Sequence, residues 1–322
     1  MTSIAFGPVP SRRLGQSLGI NNIPPKMCTY SCLYCQLGPT PETSLARAAF
    51  CAPEHVVAQV TERVHALRAR GEAIDYLTFV PDGEPTLDLR LGDTIDGLKP
   101  LGIRIAVISN GSLVWRDEVC AALAKADWVS LKVDSADETV WRRINRPDPS
   151  LRLQTVLDGM AAFARSYHGS LVTETMLLDG VNDDPATVRA TAAFVATLRP
   201  QIAYLLVPTR PTAAAEARCP SEEAVTRAYQ IFGERLPRIE LLTGGEVAAF
   251  GATGDAENDL LSTAAVHPMR AEAVRELLAK DGAPWQVVEQ LVARKLLKEI
   301  EYEGETFYVR RLAPKRELIP SR

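Results

Sequence analysis

No stretch of about 18 consecutive apolar residues occurs in the chain, and the opening run MTSIAFGPVPSRR has no basic segment followed by a long apolar core. A membrane-spanning helix and a secretory leader are therefore not expected, and a cytosolic, reducing compartment is. Charge of one sign is also lacking. With 36 Lys and Arg against 40 Asp and Glu, the formal net charge is -4 and the isoelectric point near 5.7. That balance removes any global electrostatic case for nucleic acid or an anionic membrane. Internal repeats and low-complexity tracts are missing too. What remains is a globular composition: 322 residues, 46% hydrophobic and 24% charged, enough for one large domain and a small second one.

Cysteine is sparse, and its placement is informative. None of the six precedes Cys28, and neither Cys nor His lies between Cys35 and Cys51. Cys51, Cys120 and Cys219 are widely scattered and read as small buried hydrophobes. The other three, Cys28, Cys32 and Cys35, stand at C-x3-C-x2-C spacing in MCTYSCLYCQLG, tight enough to converge on one metal centre. A four-iron cluster held by three thiolates keeps one iron open to a small molecule, which points to chemistry. A closed zinc site recruiting Cys51 or His55 is the alternative, although zinc ligands more often come as repeated short pairs.

Beyond the cysteine loop, apolar positions alternate between helical and strand periods. Val56, Val57, Val60, Val64 and Leu67 share one helical face of the segment from Pro53 to Arg70. Strands are predicted at Tyr76 to Val80, Ile103 to Ile108, Trp128 to Val133, Leu171 to Leu178, Ile202 to Val207 and Ile239 to Leu242. Helical stretches such as Arg116 to Ala126 and Pro185 to Leu198 separate them. Such alternation predicts a parallel sheet wrapped by helices, with functional groups at the carboxyl ends of its strands. There lie the turns PDGEPT, SNGS, KVDS, DGVND and PTRPT, whose Gly, Asn and Asp also suit any ordinary loop.

Near Gly254 to Asn258 the rhythm changes, and a boundary is placed there. Two short apolar faces follow, Val274, Leu277 and Leu278, then Val287, Val288, Leu291 and Val292. Lys298 to Tyr302 and Thr306 to Arg310 then read as a hairpin around Glu303 and Gly304, and helices followed by a hairpin suggest a winged helix. The tail after Leu312, with Lys315, Arg316 and Arg322, is expected to be solvated.

The run GPVPSRRLGQSLGINNIPPKMCTYSCLYCQLG, with the later turns, resembles the radical S-adenosylmethionine superfamily, in particular its branch near the wybutosine-forming tRNA enzymes. The likeness spans most of residues 7 to 254. It implies an α/β fold, a partial (β/α)6 TIM-like barrel over residues 1–254, followed here by the small winged-helix-like domain of residues 255–322. It also implies a 4Fe-4S cluster on Cys28, Cys32 and Cys35, with Tyr34 at the family's aromatic position, and S-adenosylmethionine as the second cofactor.

The family's Gly-Gly-Glu motif, which meets the methionine amino group, is matched by Asp82-Gly83-Glu84-Pro85, so Gly83 and Glu84 become cofactor-binding candidates. Ser109, Asn110, Lys132 and Asp134 occupy positions where relatives contact the ribose and carboxylate. Residues around Met176 to Leu178 and Leu205 to Val207 would border the adenine. A buried Lys132–Asp134 pair or an apolar core is the structural reading of the last two groups. Arg12 and Arg13 would meet an anionic substrate, or form a salt bridge. The INRP segment, Ile144 to Pro147, also resembles relatives, without an assignable chemistry.

The implied reaction is one-electron cleavage of S-adenosylmethionine to a 5′-deoxyadenosyl radical that abstracts hydrogen from a substrate, RNA or protein, with a flavodoxin or ferredoxin-like electron donor. The tRNA relatives carry further cysteines before this loop and this chain has none there, which argues against wybutosine synthesis itself. Missing as well are a cysteine-rich carboxyl-terminal extension and a preceding cobalamin domain. A non-catalytic iron–sulfur regulator binding DNA through the winged helix is the competing expectation.

Overall fold

A computed structural model describes residues 4–244 and 250–311. Its framework is one eight-stranded sheet whose spatial order equals its chain order: β1 (Ala5–Ser11), β2 (Gly15–Ile20), β3 (Tyr76–Phe79), β4 (Arg104–Ser109), β5 (Trp128–Lys132), β6 (Ser170–Met176), β7 (Ile202–Leu206) and β8 (Ile239–Leu242). All neighbouring pairs from β2 to β8 are parallel, and β1 is antiparallel to β2. Helices α1 (Pro53–Ala69), α2 (Leu91–Leu98), α3 (Asp117–Leu123), α4 (Glu138–Asn145), α5 (Leu153–Ser166), α6 (Pro185–Leu198) and α7 (Glu222–Gly233) fill the crossovers. Strands β3 to β8 lie where the apolar periodicity predicts them.

The amino-terminal hairpin is an addition to that prediction. Pro8 and Pro10 disguise β1, but an edge strand tolerates residues that cannot donate to a ladder. On β2, Gly19 is required by packing: a Cβ there would lie 2.0 Å from the Phe6 ring.

The sheet curls into a partial barrel, and period-two alternation sends one residue set inward from every strand. Tyr76, Ala106, Trp128, Val172, Ile202 and Tyr204 meet in one apolar cluster, with Leu14 from the β1–β2 turn as its plug. A polar layer lies next to it, where Ser17 and Thr78 share a hydrogen bond of 2.7 Å and Ser130 donates to Glu174 at 2.7 Å. The main core forms on the outer face, between sheet and helices, around residues such as Val60, Leu77, Leu91, Val107, Val129 and Phe163.

Residues 250–311 build on β1. Helix α8 (Ala256–Ala264) is followed by β9 (Met269–Arg270), α9 (Ala271–Asp281), α10 (Gln286–Ala293), β10 (Leu297–Tyr302) and β11 (Glu305–Arg310), and it packs on β1, α9, α10 and β11. These three strands form a separate sheet in the order β10-β11-β9. The hairpin turns at Glu303 and Gly304, both with positive φ, as a tight two-residue connection demands. Val274, Leu277, Leu278, Val288 and Leu291 are buried in its core, whereas Val292 is exposed. Helix α8 begins in the stretch read from sequence as a boundary. Lys315, Arg316 and Arg322 lie outside the described residues.

A buried ion pair fastens this part to the barrel. Arg63 on α1 meets Asp259 on α8 at 2.7 Å and donates to the Gly7 carbonyl, while Asp259 also accepts from the Thr253 amide at 2.6 Å. Removing one partner strands a buried charge. Asp259→Ala is expected to cost about 3–5 kcal/mol, read as a lower urea unfolding midpoint.

Candidate active site

The loop from Asn21 to Ala52 carries almost no regular structure, so its backbone groups are held by isolated bridges, one within the loop and the others to distant segments. Met27 pairs with Gly83, Cys28 with Thr43, Tyr30 with Pro147 and Ala48 with Asp88. Close approach explains Gly83: a Cβ would lie 2.0 Å from the Met27 carbonyl oxygen, and the Glu84 amide donates to that same oxygen at 2.9 Å. On the other side, Ser31 and Leu33 donate their amides to the carbonyls of Asn145 and Ile144. The INRP segment is thus the clamp on the cysteine loop.

Each thiol sits where ionisation is costly. Burial, then the Glu84 carboxylate, pushes Cys28 well above the usual thiol range, and burial with Asp134 pushes Cys32 up to about 12. Cys35 is also raised by burial, with Lys26 opposing. Donors face the sulfurs: Asn110 Nδ2 is 3.7 Å from Cys28 Sγ and Asn145 Nδ2 3.4 Å from Cys32 Sγ. Among the described residues, no three Cys, His, Asp or Glu donors converge on a single ion. His55 is exposed and bonded to Gln59, Cys51 packs partly against the main core, and the closed zinc site therefore has no support. A cluster offers each thiolate its own iron, so three separated, desolvated thiols on one loop fit it.

Beside Cys35 opens a cavity of about 280 Å³, bordered by Tyr34, Gly83, Arg13, Lys132 and Glu174. Its wall takes residues from several strand ends, including Val80, Ile108, Met176, Leu206 and Leu242. Of the proposed adenine border, Met176, Leu206 and Val207 reach the cavity; Leu177 and Leu205 belong to the outer core, and Leu178 packs with Leu33 and Tyr34.

Four of the candidate residues stand behind that wall. Glu84 is 1% exposed, and protein donors occupy both its oxygens: Thr86 (amide 3.1 Å, hydroxyl 2.7 Å) and Ser109 Oγ (2.8 Å) on Oε1, the Asn110 amide (2.8 Å) on Oε2. It ties the end of β3 to the end of β4. Ser109 and Asn110 are consumed in that tie and in holding Thr29 and Cys28. Asp134 accepts from the Met176 amide (2.8 Å), Asn145 Nδ2 (2.7 Å) and the Tyr34 hydroxyl. These groups position the loop.

Lys132 pairs with Glu174, not with Asp134, at 3.1 Å, and sits 5.6 Å from the Tyr34 ring centroid. Glu174 also binds Arg13, which crosses the barrel interior from the β1–β2 turn, while Arg12 donates to the Gly244 carbonyl at 2.8 Å. Glu174 and Asn145 are positions at this site to which sequence reasoning gave no role. A carboxylate inside the apolar strand Leu171 to Leu178 was the available signal, since buried charges demand partners. Cys120 donates to the Val114 carbonyl and Cys219 is exposed, neither of them at the cavity.

The comparisons with known proteins bear on this geometry. A sequence profile described as the Radical SAM superfamily matches residues 22–191. A UPF0026 protein of Methanocaldococcus jannaschii is 43% identical over 312 residues, covering 96% of this chain and 97% of its own. The chain belongs to the radical SAM superfamily. Among solved radical SAM structures, a methyltransferase from Sphaerobacter thermophilus shares 18% identity over 70% of this chain and 66% of its own, with a TM-score of 0.51, a likeness of fold. TYW1 with a lysine–pyruvate adduct bound matches 90% of this chain and 79% of its own at 15% identity and a TM-score of 0.45. No helix among the described residues is long and apolar enough to cross a membrane.

Burial alone would raise the Glu174 pKa, but Arg13 and Lys132 hold it down, from 4.5 to about 2. A depressed folded-state pKa stabilises above the unfolded value and loses that contribution as pH falls through the folded one. The stability gap between wild type and Glu174→Gln should therefore be widest above pH 4.5 and shrink toward pH 2, as measured by urea unfolding at each pH.

Proposed function

We propose that this radical SAM enzyme holds a 4Fe-4S cluster on Cys28, Cys32 and Cys35, binds S-adenosylmethionine in the adjoining cavity and abstracts hydrogen from RNA or protein. The observation that carries the reading is three partly buried thiols on one clamped loop, with Cys35 bordering a cavity at the strand ends. Bound together, cluster and cofactor supply reductive carbon–sulfur cleavage and a 5′-deoxyadenosyl radical.

The chain's own residues orient and shield. Gly83, which lets the loop backbone at Met27 pack closely, borders the cavity beside the Asp82–Lys26 pair at 3.2 Å. Lys132, its charge favoured by Glu174 and Asp134 against the cost of burial, offers a cation to the methionine carboxylate, and the Tyr34 ring lies against it. Glu84 acts as a positioning residue through Ser109 and Asn110. The Leu14 plug shuts the far end of the barrel, so the cavity is reached from the strand-end side and water is restricted. Arg13 and Arg12 line the cavity as the cations assigned to an anionic group of the substrate.

Residues 250–311 contribute to this mouth. Val266 borders the cavity, Gln36 donates to its carbonyl at 3.3 Å, and Arg210 donates to Gln36 at 3.1 Å and to His267 at 3.0 Å. Burial, then Arg210, lowers the His267 pKa, which keeps the ring an acceptor. With residues 250–311 at its rim, the site suits a macromolecule. Residues 263–322 carry 11 Lys or Arg and 9 Asp or Glu, a balance that favours protein over RNA. The electron donor is assigned to the flavodoxin or ferredoxin class.

Anoxically reconstituted protein given reductant and S-adenosylmethionine is expected to form 5′-deoxyadenosine, and none from a fully loaded sample would overturn the reading. Glu84→Gln should lower the yield about 10–100-fold while iron content holds. An RNA substrate predicts affinity that falls steeply with added salt; salt-independent capture of RNA, or none, leaves the protein substrate.

A further inference from the structure

The Asn145 side chain is 2% exposed, comes from the segment that clamps the cysteine loop, and directs its amide nitrogen at three acceptors. These are Asp134 Oδ2 at 2.7 Å, Cys32 Sγ at 3.4 Å and the Tyr34 hydroxyl at 3.5 Å. Asn110 repeats the arrangement on another sulfur, with its amide nitrogen 3.7 Å from Cys28 Sγ and 2.7 Å from Thr29 Oγ1. A buried carboxamide is anchored at each place by an oxygen acceptor and turned toward a thiol.

Placement is over-determined in both cases. The Asn110 carbonyl oxygen accepts from the Ser112 amide at 2.9 Å and its backbone amide is held by Glu84. The Asn145 backbone carbonyl accepts from the Ser31 amide at 3.1 Å, so the residue is fixed to the loop it serves. At Cys35 the Leu37 backbone amide and the Lys26 charge take that place. All three sulfurs thus face positive charge density.

We propose that the Asn145 and Asn110 amides are tuning donors that raise the reduction potential of the cluster on these cysteines. A donor on a ligating sulfur draws electron density from it and stabilises the reduced, more negative state over the oxidised one. Both are positioning residues, since each acts through a sulfur. The inference rests on the functional reading above.

The test is an EPR-monitored redox titration of reconstituted wild type, Asn145→Leu and Asn110→Leu, with iron and sulfide assayed on every sample. Each variant should load the cluster and titrate at a more negative potential, and the double variant should show the sum, because the amides serve different sulfurs. Unchanged potentials in loaded variants would overturn the inference. Should leucine prevent loading, wild type labelled with 15N-asparagine decides: side-chain nitrogen hyperfine coupling to the reduced cluster is expected, and its absence contradicts the proposal. A wild type that takes up no iron fails the functional reading instead.

Discussion

Three partly buried thiols gathered on one irregular loop are the constraint from which the rest of this structure follows. A thiolate in low dielectric needs a compensating charge, and near these sulfurs the protein offers Lys26, Lys132 and the amides of Asn110 and Asn145 among its donors. The cluster proposed above would supply the rest. Without regular hydrogen bonding of its own, the loop borrows order from the ends of β3 and β4 through Gly83 and Glu84, and from the end of α4 through Asn145. Glu84 and Asp134 are buried for that purpose, and burial stays tolerable because their oxygens are matched to donors.

The barrel interior supports this in layers. An apolar plug at one end, a polar belt around Glu174 and a cavity at the strand ends all arise from the same inward-facing alternation, with residue type changing along each strand. On β5, Trp128, Ser130 and Lys132 show the change from apolar through hydroxyl to charged. Glu174 stabilises its place only together with Arg13 and Lys132, so the hairpin turn that also supplies Leu14 is bound into the charge network.

Much of this was legible in the chain alone. Strands β3 to β8 could be read because parallel strands covered on both faces are continuous apolar runs. The cysteine trio could be read because its ligands are local in sequence. The β1–β2 hairpin was hidden by prolines, and α8 by its lying across an apparent boundary. The structural alternative for Lys132 paired it with Asp134, two residues away, whereas register brings Glu174 beside it from the next strand. Glu84 was read as a ligand from its motif; the donors that hold its oxygens, Thr86, Ser109 and Asn110, are contacts that only the fold creates. Asn145 lies 113 positions from the sulfur it faces, beyond the reach of spacing arguments.

The central claim is a cluster whose fourth iron is open to the cofactor, and the reduced cluster's response to S-adenosylmethionine tests it most directly. EPR of the anoxically reconstituted, reduced protein should change on adding S-adenosylmethionine, as the open iron gains new ligands. A spectrum that stays the same at saturating cofactor would contradict the account, because it would mean that every iron is already held by the protein.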